Sequence, residues 1–327
     1  MKKVCIVGYG AIGPVHAKAL EMVEHAKLYA VCDIDAGKRT LCKEEYDVLE
    51  YSDFDDMLQD KDIDVVHICT PHYLHFEMVK KALAAGKDVV VEKPITMTKE
   101  EFEALQELEG VEQVCVVLQN RLNPCVQKLK EIIESGELGA VKAAKGMLTW
   151  HRDKAYYEGG AWRGKWATEG GGALINQAVH TLDYFCYLLG SVKNVKADMS
   201  NYSLEGVIEV EDTVTAYLEL EDGVKGIFFA TNAYAENSAP FFEVAFEKGI
   251  ARYMDKKLWV NGTLLEEDTA PATGKAYWGN SHTTLLKRYY DEHKYFTVAD
   301  ARETMETVFA MYESAYNSFL YYEHRNG

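Results

Sequence analysis

The chain has 327 residues, 48% of them hydrophobic, and a formal net charge of −17. That length exceeds one ordinary hydrophobic core and suits two domains. The acidic balance argues against nucleic acid and anionic membranes as partners, because both are held by clustered Lys and Arg.

The first apolar run, Lys3–Val7, leads directly into Gly8-Tyr9-Gly10-Ala11-Ile12-Gly13. This is G-x-G-x-x-G at the point where a buried strand turns into a helix, expected over Ile12–Met22. Gly8 permits a tight turn, and Gly10 removes a side chain where a pyrophosphate would approach. Gly13 lets the helix pack close to the strand, and the helix N-terminus favours an anion. Gly8, Gly10, Ala11, Ile12 and Gly13 are therefore expected to hold a dinucleotide. The second run, Leu28–Cys32, ends at Asp33, 20 residues beyond Gly13. That spacing suits a carboxylate that hydrogen-bonds a ribose 2′-hydroxyl. It would repel a 2′-phosphate, so NAD is favoured over NADP. Arg39 is the nearby residue that could meet a phosphate instead; its other reading is a solvated helix residue.

A helix is expected over Ala36–Glu45, then strands at Val48–Tyr51 and Val65–Cys69, a helix at His75–Ala85, and strands at Asp88–Glu92 and Val114–Leu118. Alternation of this kind builds a doubly wound parallel sheet that binds ligands at the C-terminal strand ends. The first domain is expected to span 1–121 and the second 122–327. In the second, Pro124 opens a helix to Ser135 that stops at Gly136, and Val141–Arg152 alternates as a strand. Gly170-Gly171-Gly172 precedes an apolar helix, Ala173–Leu189. Strands follow at Val192–Asn201, Thr213–Glu221, Val224–Tyr234, Phe241–Glu247, Ile250–Met254 and Lys257–Val260, with a hairpin turn at Glu221-Asp222-Gly223. A final helix is expected over Asp300–His324. No run of about 18 apolar residues occurs, so no membrane span is expected. The chain enters a strand at once, so no signal peptide is expected and a cytoplasmic protein is. Seven cysteines without a C-x-x-C indicate neither a disulfide framework nor a structural zinc site. His72 and His75 lack a Cys or acid to complete a zinc site, so no metal is expected.

Thr70-Pro71-His72-Tyr73-Leu74-His75 ends the fourth strand, and Glu92-Lys93-Pro94 ends the fifth. With the glycine motif, the run Ala85–Pro94 and the segment Gly170-Gly171-Gly172…His180-Thr181-Leu182-Asp183, these resemble the glucose–fructose oxidoreductase / inositol dehydrogenase (Gfo/Idh/MocA) family of NAD(P)-dependent oxidoreductases. The resemblance runs from residue 3 to about residue 190. It implies an α/β protein: an N-terminal Rossmann doubly wound sheet, then an α+β domain with a large, mostly antiparallel sheet. It implies Thr70, Pro71, His75, Glu92 and Lys93 on the cofactor side, with a Lys93–Pro94 bond that is commonly cis.

Lys93 is implied beside the nicotinamide and the reacting hydroxyl, where an ammonium favours the alkoxide-like form of an alcohol. His180 is the candidate acid/base, since imidazole titrates near neutral pH. On one continuous helix, Asn176 would share its face as the i, i+4 neighbour. The family usually carries Asp where Asn176 stands, which leaves three possibilities. His180 and Lys93 suffice, another carboxylate such as Asp183 helps, or catalysis is lost. Gln119 and Arg121 at the domain junction are candidates for substrate contact or a crossover cap. Tyr157, Trp162 and Arg163 in an aromatic and basic loop suit a sugar ring, or pack on their own domain.

The expected activity is hydride transfer between NAD(P) and a hydroxyl-bearing ring carbon of a sugar, sugar derivative or cyclic polyol. Alternatives are a redox-neutral enzyme with retained NAD and a non-catalytic NAD-binding regulatory protein. A homo-oligomer, dimer or tetramer, is expected through the large sheet. Phe228, Phe229, Phe241, Phe242 and Phe246 are divided between the two faces of that sheet by alternation.

Overall fold

A computed structural model describes residues 1–271 and 280–326, with side chains through Tyr316. The first sheet contains β1 (Lys2–Val7), β2 (Ala26–Cys32), β3 (Leu49–Tyr51), β4 (Val65–Ile68), β5 (Asp88–Val91) and β6 (Val114–Val116). Their order is β3-β2-β1-β4-β5-β6, and all neighbours run parallel. β1, β4, β5 and β6 are almost wholly buried. This explains their continuous Val-rich sequences, since helices cover both faces of such a sheet. The order reverses between β1 and β4, which opens a crevice at their C-terminal ends.

The second sheet contains β7 (Val141–Thr149), β8 (Val192–Ser200), β9 (Thr213–Leu220), β10 (Lys225–Thr231), β11 (Phe241–Phe246), β12 (Gly249–Met254), β13 (Lys257–Val260) and β14 (Thr263–Glu267). The order is β14-β13-β12-β11-β7-β10-β9-β8. Only the β7–β10 pair is parallel. Gly223 makes the expected hairpin turn with a φ of 75°. Alternation divides the phenylalanines as expected. Phe228, Phe242 and Phe246 are buried, whereas Phe229 and Phe241 are half-buried.

The helix Val179–Leu189 covers the buried face of this sheet, and Phe185 anchors it. A Cβ on Gly146 of β7 would lie 2.7 Å from the Phe185 ring, and one on Gly226 of β10 would lie 2.9 Å from it. Two strand glycines thus clear a seat for one aromatic side chain. Phe242 completes the seat edge-on, with ring centroids 4.9 Å apart. His180 stands in the first turn of the helix fixed in this way.

Two expectations are corrected. The compact units are Met1–Leu122 with Ala270–Ala301, and Asn123–Thr269 with the chain from Arg302 onward. A single boundary near residue 121 therefore misassigns Ala270–Ala301. Its helix, Ser281–Glu292, buries Leu285, Leu286, Tyr289 and Tyr290 against Val4, Ile6, Ala17, Val65 and Cys115. The apolar stripe on that helix belongs to the core of the first unit, although some 150 residues intervene.

The second correction concerns Ala173–Leu189, which is not one helix. A π-turn covers Ala173–Gln177, and the α-helix starts at Val179. Ala178, at φ −101° and ψ −3°, separates them. The i, i+4 relation between Asn176 and His180 therefore spans a break.

Candidate active site

At the end of β1, Gly8 takes a φ of 90°, and its amide donates to the Cys32 carbonyl at 2.8 Å. A Cβ there would sit 2.7 Å from the Cys69 carbonyl oxygen, and one on Gly13 would sit 2.5 Å from the Gly8 carbonyl oxygen. Both glycines are thus required for close packing. Gly10 differs, because nothing lies within 4 Å of its added Cβ. The chain leaves open floor at this position, which fits a pyrophosphate approaching the backbone before the helix Gly13–Leu20.

Asp33 stands beyond the end of β2 with one carboxylate oxygen on the Tyr9 amide at 2.7 Å and the other on the Asp35 amide at 2.9 Å. The carboxylate keeps lone pairs for a ribose diol. Arg39 donates to the Asp33 carbonyl at 2.8 Å, so it braces the backbone of this turn.

The Glu92-Lys93-Pro94 turn follows β5, and its Lys93–Pro94 bond is cis. Lys93 is half-buried, and its amide donates to Glu92 at 3.2 Å. Expected on the cofactor side, Glu92 instead points into the protein. One of its oxygens lies 3.0 Å from His16 Nε2 and 3.6 Å from His282 Nε2. Burial opposes the carboxylate charge, but the two imidazoles outweigh it and hold Glu92 well below the usual carboxylate range.

For His16, burial disfavours the charge, while Cys69 and Glu92 outweigh it and push its pKa up to about 10. Burial and His16 hold His67 well below the ordinary imidazole value. These directions agree with the hydrogen bonds. Protonated His16 donates through Nε2 to Glu92 and through Nδ1 to His67 Nδ1 at 3.0 Å. Neutral His67 then donates through Nε2 to Tyr290 Oη at 2.7 Å. His16, Glu92 and His282 are also the one trio of potential metal ligands found among the described residues. The assigned protons already compensate its charge.

The side chain of His75, expected to contact cofactor, is fully buried. Its Nδ1 lies 2.7 Å from the Pro94 carbonyl and its Nε2 2.9 Å from the Thr70 carbonyl. Burial holds this ring below its ordinary value against the pull of both carbonyls. It therefore joins the turn after β4, with Thr70 and Pro71, to the turn after β5.

In the second unit, Gly170-Gly171-Gly172 makes room for the turn that follows. A Cβ on Gly171 would meet Tyr312 Oη at 1.9 Å, and one on Gly172 would meet the Glu211 carbonyl oxygen at 1.9 Å. The Glu211 carboxylate accepts the Gly172 amide at 2.9 Å, the Leu174 amide at 3.0 Å and the Tyr312 hydroxyl at 3.0 Å. Burial pushes its pKa up to about 7 against the pull of these donors. Between residues 171 and 186, only Asn176 and His180 are not buried. Asn176 and His180 are thus the partly exposed residues of an otherwise enclosed segment.

Several substrate candidates are drawn into packing. Tyr157 is buried with Leu204, Ile208 and Val210, and its hydroxyl accepts from Asn232 at 3.2 Å. Gln119 is buried, and Arg121 donates to the Asp300 carbonyl at 2.9 Å while lying over the Phe296 ring. Arg121 thereby pins the returning segment to the first unit. Asp183 is buried and accepts from Thr304 at 2.6 Å, which is a structural role. Trp162 and Arg163 remain half-buried, with the guanidinium 4.7 Å from the Tyr156 ring centroid and 5.0 Å from that of Trp162. Sequence reasoning missed His16, His282, Glu169 and Glu211. Of these, His16 alone carried a local signal, three residues after the last glycine of the motif.

Comparison with known proteins shows the family of the chain. The family profile described as "Oxidoreductase family, NAD-binding Rossmann fold" matches residues 2–120, and "GFO/IDH/MocA C-terminal domain" matches residues 126–252. The chain is 28% identical over 298 residues to an uncharacterized oxidoreductase, YrbE, of Bacillus subtilis (strain 168), covering 88% of this chain and 82% of that protein. It is 32% identical over 231 residues to scyllo-inositol 2-dehydrogenase (NAD(+)) of the same strain, covering 68% and 64%. Among solved structures, the WlbA dehydrogenase from Bordetella pertussis, in complex with NADH and UDP-GlcNAcA, matches with a TM-score of 0.87 and 25% identity, covering 97% of this chain and 96% of that one.

The Glu211 shift has a thermodynamic signature. The folded chain holds this proton more tightly than the unfolded chain does. The associated stability is therefore complete below the ordinary carboxylate pKa and drains away as pH rises through about 7. Urea unfolding at pH 5 and pH 8 should show the wild type losing more stability over that interval than Glu211→Gln. Equal losses would contradict the assignment.

Proposed function

The chain belongs to the GFO/IDH/MocA oxidoreductase family, and from that premise we propose an NAD-dependent dehydrogenase acting on a hydroxyl-bearing ring carbon of a sugar, sugar derivative or cyclic polyol. The observation that carries the substrate half of this reading is the emergence of Asn176 and His180 alone from the segment 171–186. An imidazole and an amide are the groups needed to take a proton from a hydroxyl and to orient it.

Bound nicotinamide would supply the hydride acceptor or donor. The residues of this chain do the rest. The turn from Gly8 to Gly13 receives the pyrophosphate, and Asp33 accepts from the ribose. His180 takes the hydroxyl proton in the oxidation direction, and Asn176 orients the substrate. The Lys93 ammonium stabilises negative charge developing on the reacting oxygen. Trp162 and Arg163 offer a ring face and donors suited to a sugar. The direct test is reduction of NAD or NADP by a panel of sugars and polyols, followed by absorbance.

The cellular setting is cytoplasmic on this reading. All seven cysteines are free and buried, which suits a reducing compartment. Among the described residues, no helix is long and apolar enough to cross a membrane.

A homo-oligomer built on the open face of the second sheet completes the proposal. Met147, Tyr217, Ile227, Ile250 and Met254 are exposed there. Among them lies a Glu243 carboxylate held by Lys145 at 2.9 Å and Arg252 at 2.7 Å. Sedimentation at micromolar concentration should show a dimer or tetramer; a monomer alone would contradict this interface.

Two substitutions test the assigned roles. NAD should serve better than NADP, and Asp33→Ala should narrow or reverse the difference; equal use of both by the wild type would remove Asp33 from the ribose. Lys93→Ala should lower turnover by about 10²–10³-fold, as when one charge-stabilising group is removed from a reacting oxygen. NADH affinity should be little changed, and near-normal turnover would overturn the role of Lys93.

A further inference from the structure

Glu169 ends the short helix Trp166–Glu169, is fully buried and belongs to none of the motifs above. Its two oxygens have different partners. One accepts the Gly164 backbone amide, and the other accepts the side-chain amide of Asn176. A carboxylate has no hydrogen to give, so this contact decides which way the Asn176 amide points. Its Nδ2 faces Glu169, and its Oδ1 faces away. Residue 176 is therefore held with its donor turned to a buried carboxylate and its acceptor on the opposite branch of the amide.

We propose that Glu169 is a positioning residue of the active site, supplying through Asn176 the carboxylate charge that Asn176 itself lacks. This rests on the reading of Asn176 and His180 as the substrate-side groups. The pair is chemically specific. Aspartate at 176 opposite Glu169 would bring two carboxylate oxygens within hydrogen-bond distance, and they could remain there only by sharing a proton. An amide opposite a carboxylate needs no such proton. Asp183, the other acid on this segment, is committed to Thr304.

Among the described residues, the titratable groups that feel the Glu169 charge include Tyr157 on the helix Lys154–Glu158 and Tyr312 on the final helix. Burial, with Glu169 adding to it, pushes both phenols up, so both stay neutral near pH 7. Glu211 faces Tyr312 from the loop before β9. Glu211 is common to every variant below, so differences between variants report on residues 169 and 176.

The test uses the full chain with NAD and four probes: myo-inositol, scyllo-inositol, glucose and levoglucosan. In Glu169→Gln, one side-chain oxygen remains for the Gly164 amide, and the new NH2 group turns to residue 176. Asn176 must then reverse and present its own NH2 outward, so an acceptor becomes a donor. Turnover should fall by about 10–100-fold, the scale on which outer partners orient a working side chain, with NADH affinity unchanged. The acid limb of the oxidation profile should move to lower pH, because the His180 imidazolium loses a stabilising charge.

The exchange Glu169→Gln with Asn176→Asp restores an outward acceptor. It should recover most of the turnover and move the acid limb above that of the wild type. A folded Glu169→Gln protein with wild-type turnover and an unmoved acid limb would overturn the proposal, as would an exchange variant no better than Glu169→Gln. If Glu169→Gln does not fold, the exchange variant is compared with the wild type, and an acid limb in the same place overturns it. If the wild type oxidises none of the probes, the dehydrogenase reading fails on its own. Histidine-labelled NMR titration of His180 then decides the role of Glu169: a lower pKa in Glu169→Gln supports it, and an unchanged one overturns it.

Discussion

The placement of the Glu92-Lys93-Pro94 turn in the first unit depends on one buried charge, the Glu92 carboxylate. It accepts from the Lys93 amide and from the His16 imidazole of the helix after the glycine turn, and His282 of the returning segment stands 3.6 Å from it. His16 extends the connection to His67 on β4 and then to Tyr290. Elements that follow β1, β4 and β5 are thereby referred to a common point. Enclosing a carboxylate is costly, and a buried ion pair is a poor source of net stability. Its effect is positional: the carboxylate that accepts the Lys93 amide is itself held by His16.

The second unit solves the same problem with two buried carboxylates and three glycines. Glu211 takes the amides of Gly172 and Leu174, and Glu169 takes those of Gly164 and the Asn176 side chain. The turn carrying Asn176 is thus gripped by acceptors on its backbone and on its side chain. Side chains at 171 and 172 would collide with Tyr312 and Glu211. Phe185, seated on Gly146 and Gly226, fixes the helix that begins one residue before His180. The two partly exposed polar residues of this segment are therefore carried by elements that buried groups hold.

The sequence made the first sheet legible because its strands are short, apolar and separated by amphipathic helices, and because Gly8, Gly13 and Asp33 answer to local geometry. Helix Pro124–Ser135 and its stop at Gly136 were equally readable, since Pro and Gly act on their own backbone. Other features were not. The break at Ala178 is hidden because an apolar run looks continuous whether or not its hydrogen bonds shift from i+4 to i+5. Tyr157 and Arg121 have the chemistry of ligand contacts, and only their burial reveals packing. Glu169 and Glu211 resemble solvated acids in a sequence, and their partners are backbone amides, which carry no residue identity. His282 gains meaning from Glu92, 190 positions earlier, and from His16.

The discontinuity of the first unit sets an order on its assembly. His67 and Tyr290 are hydrogen-bonded across 223 positions, and Leu285, Leu286 and Tyr289 fill the same core. A growing chain emerging from the ribosome therefore carries β1 to β6 long before it carries the residues that seal them. All eight strands of the second sheet precede Ala270, so that sheet can pair while the earlier core still lacks its plug. Closing so wide a loop delays the reward for its entropy until the distant contacts form. During that interval the apolar face around Val4, Ile6 and Val65 depends on chaperones or transient collapse for cover. The strands of the first sheet are thus made early and can be sealed only once residues 281–292 have followed.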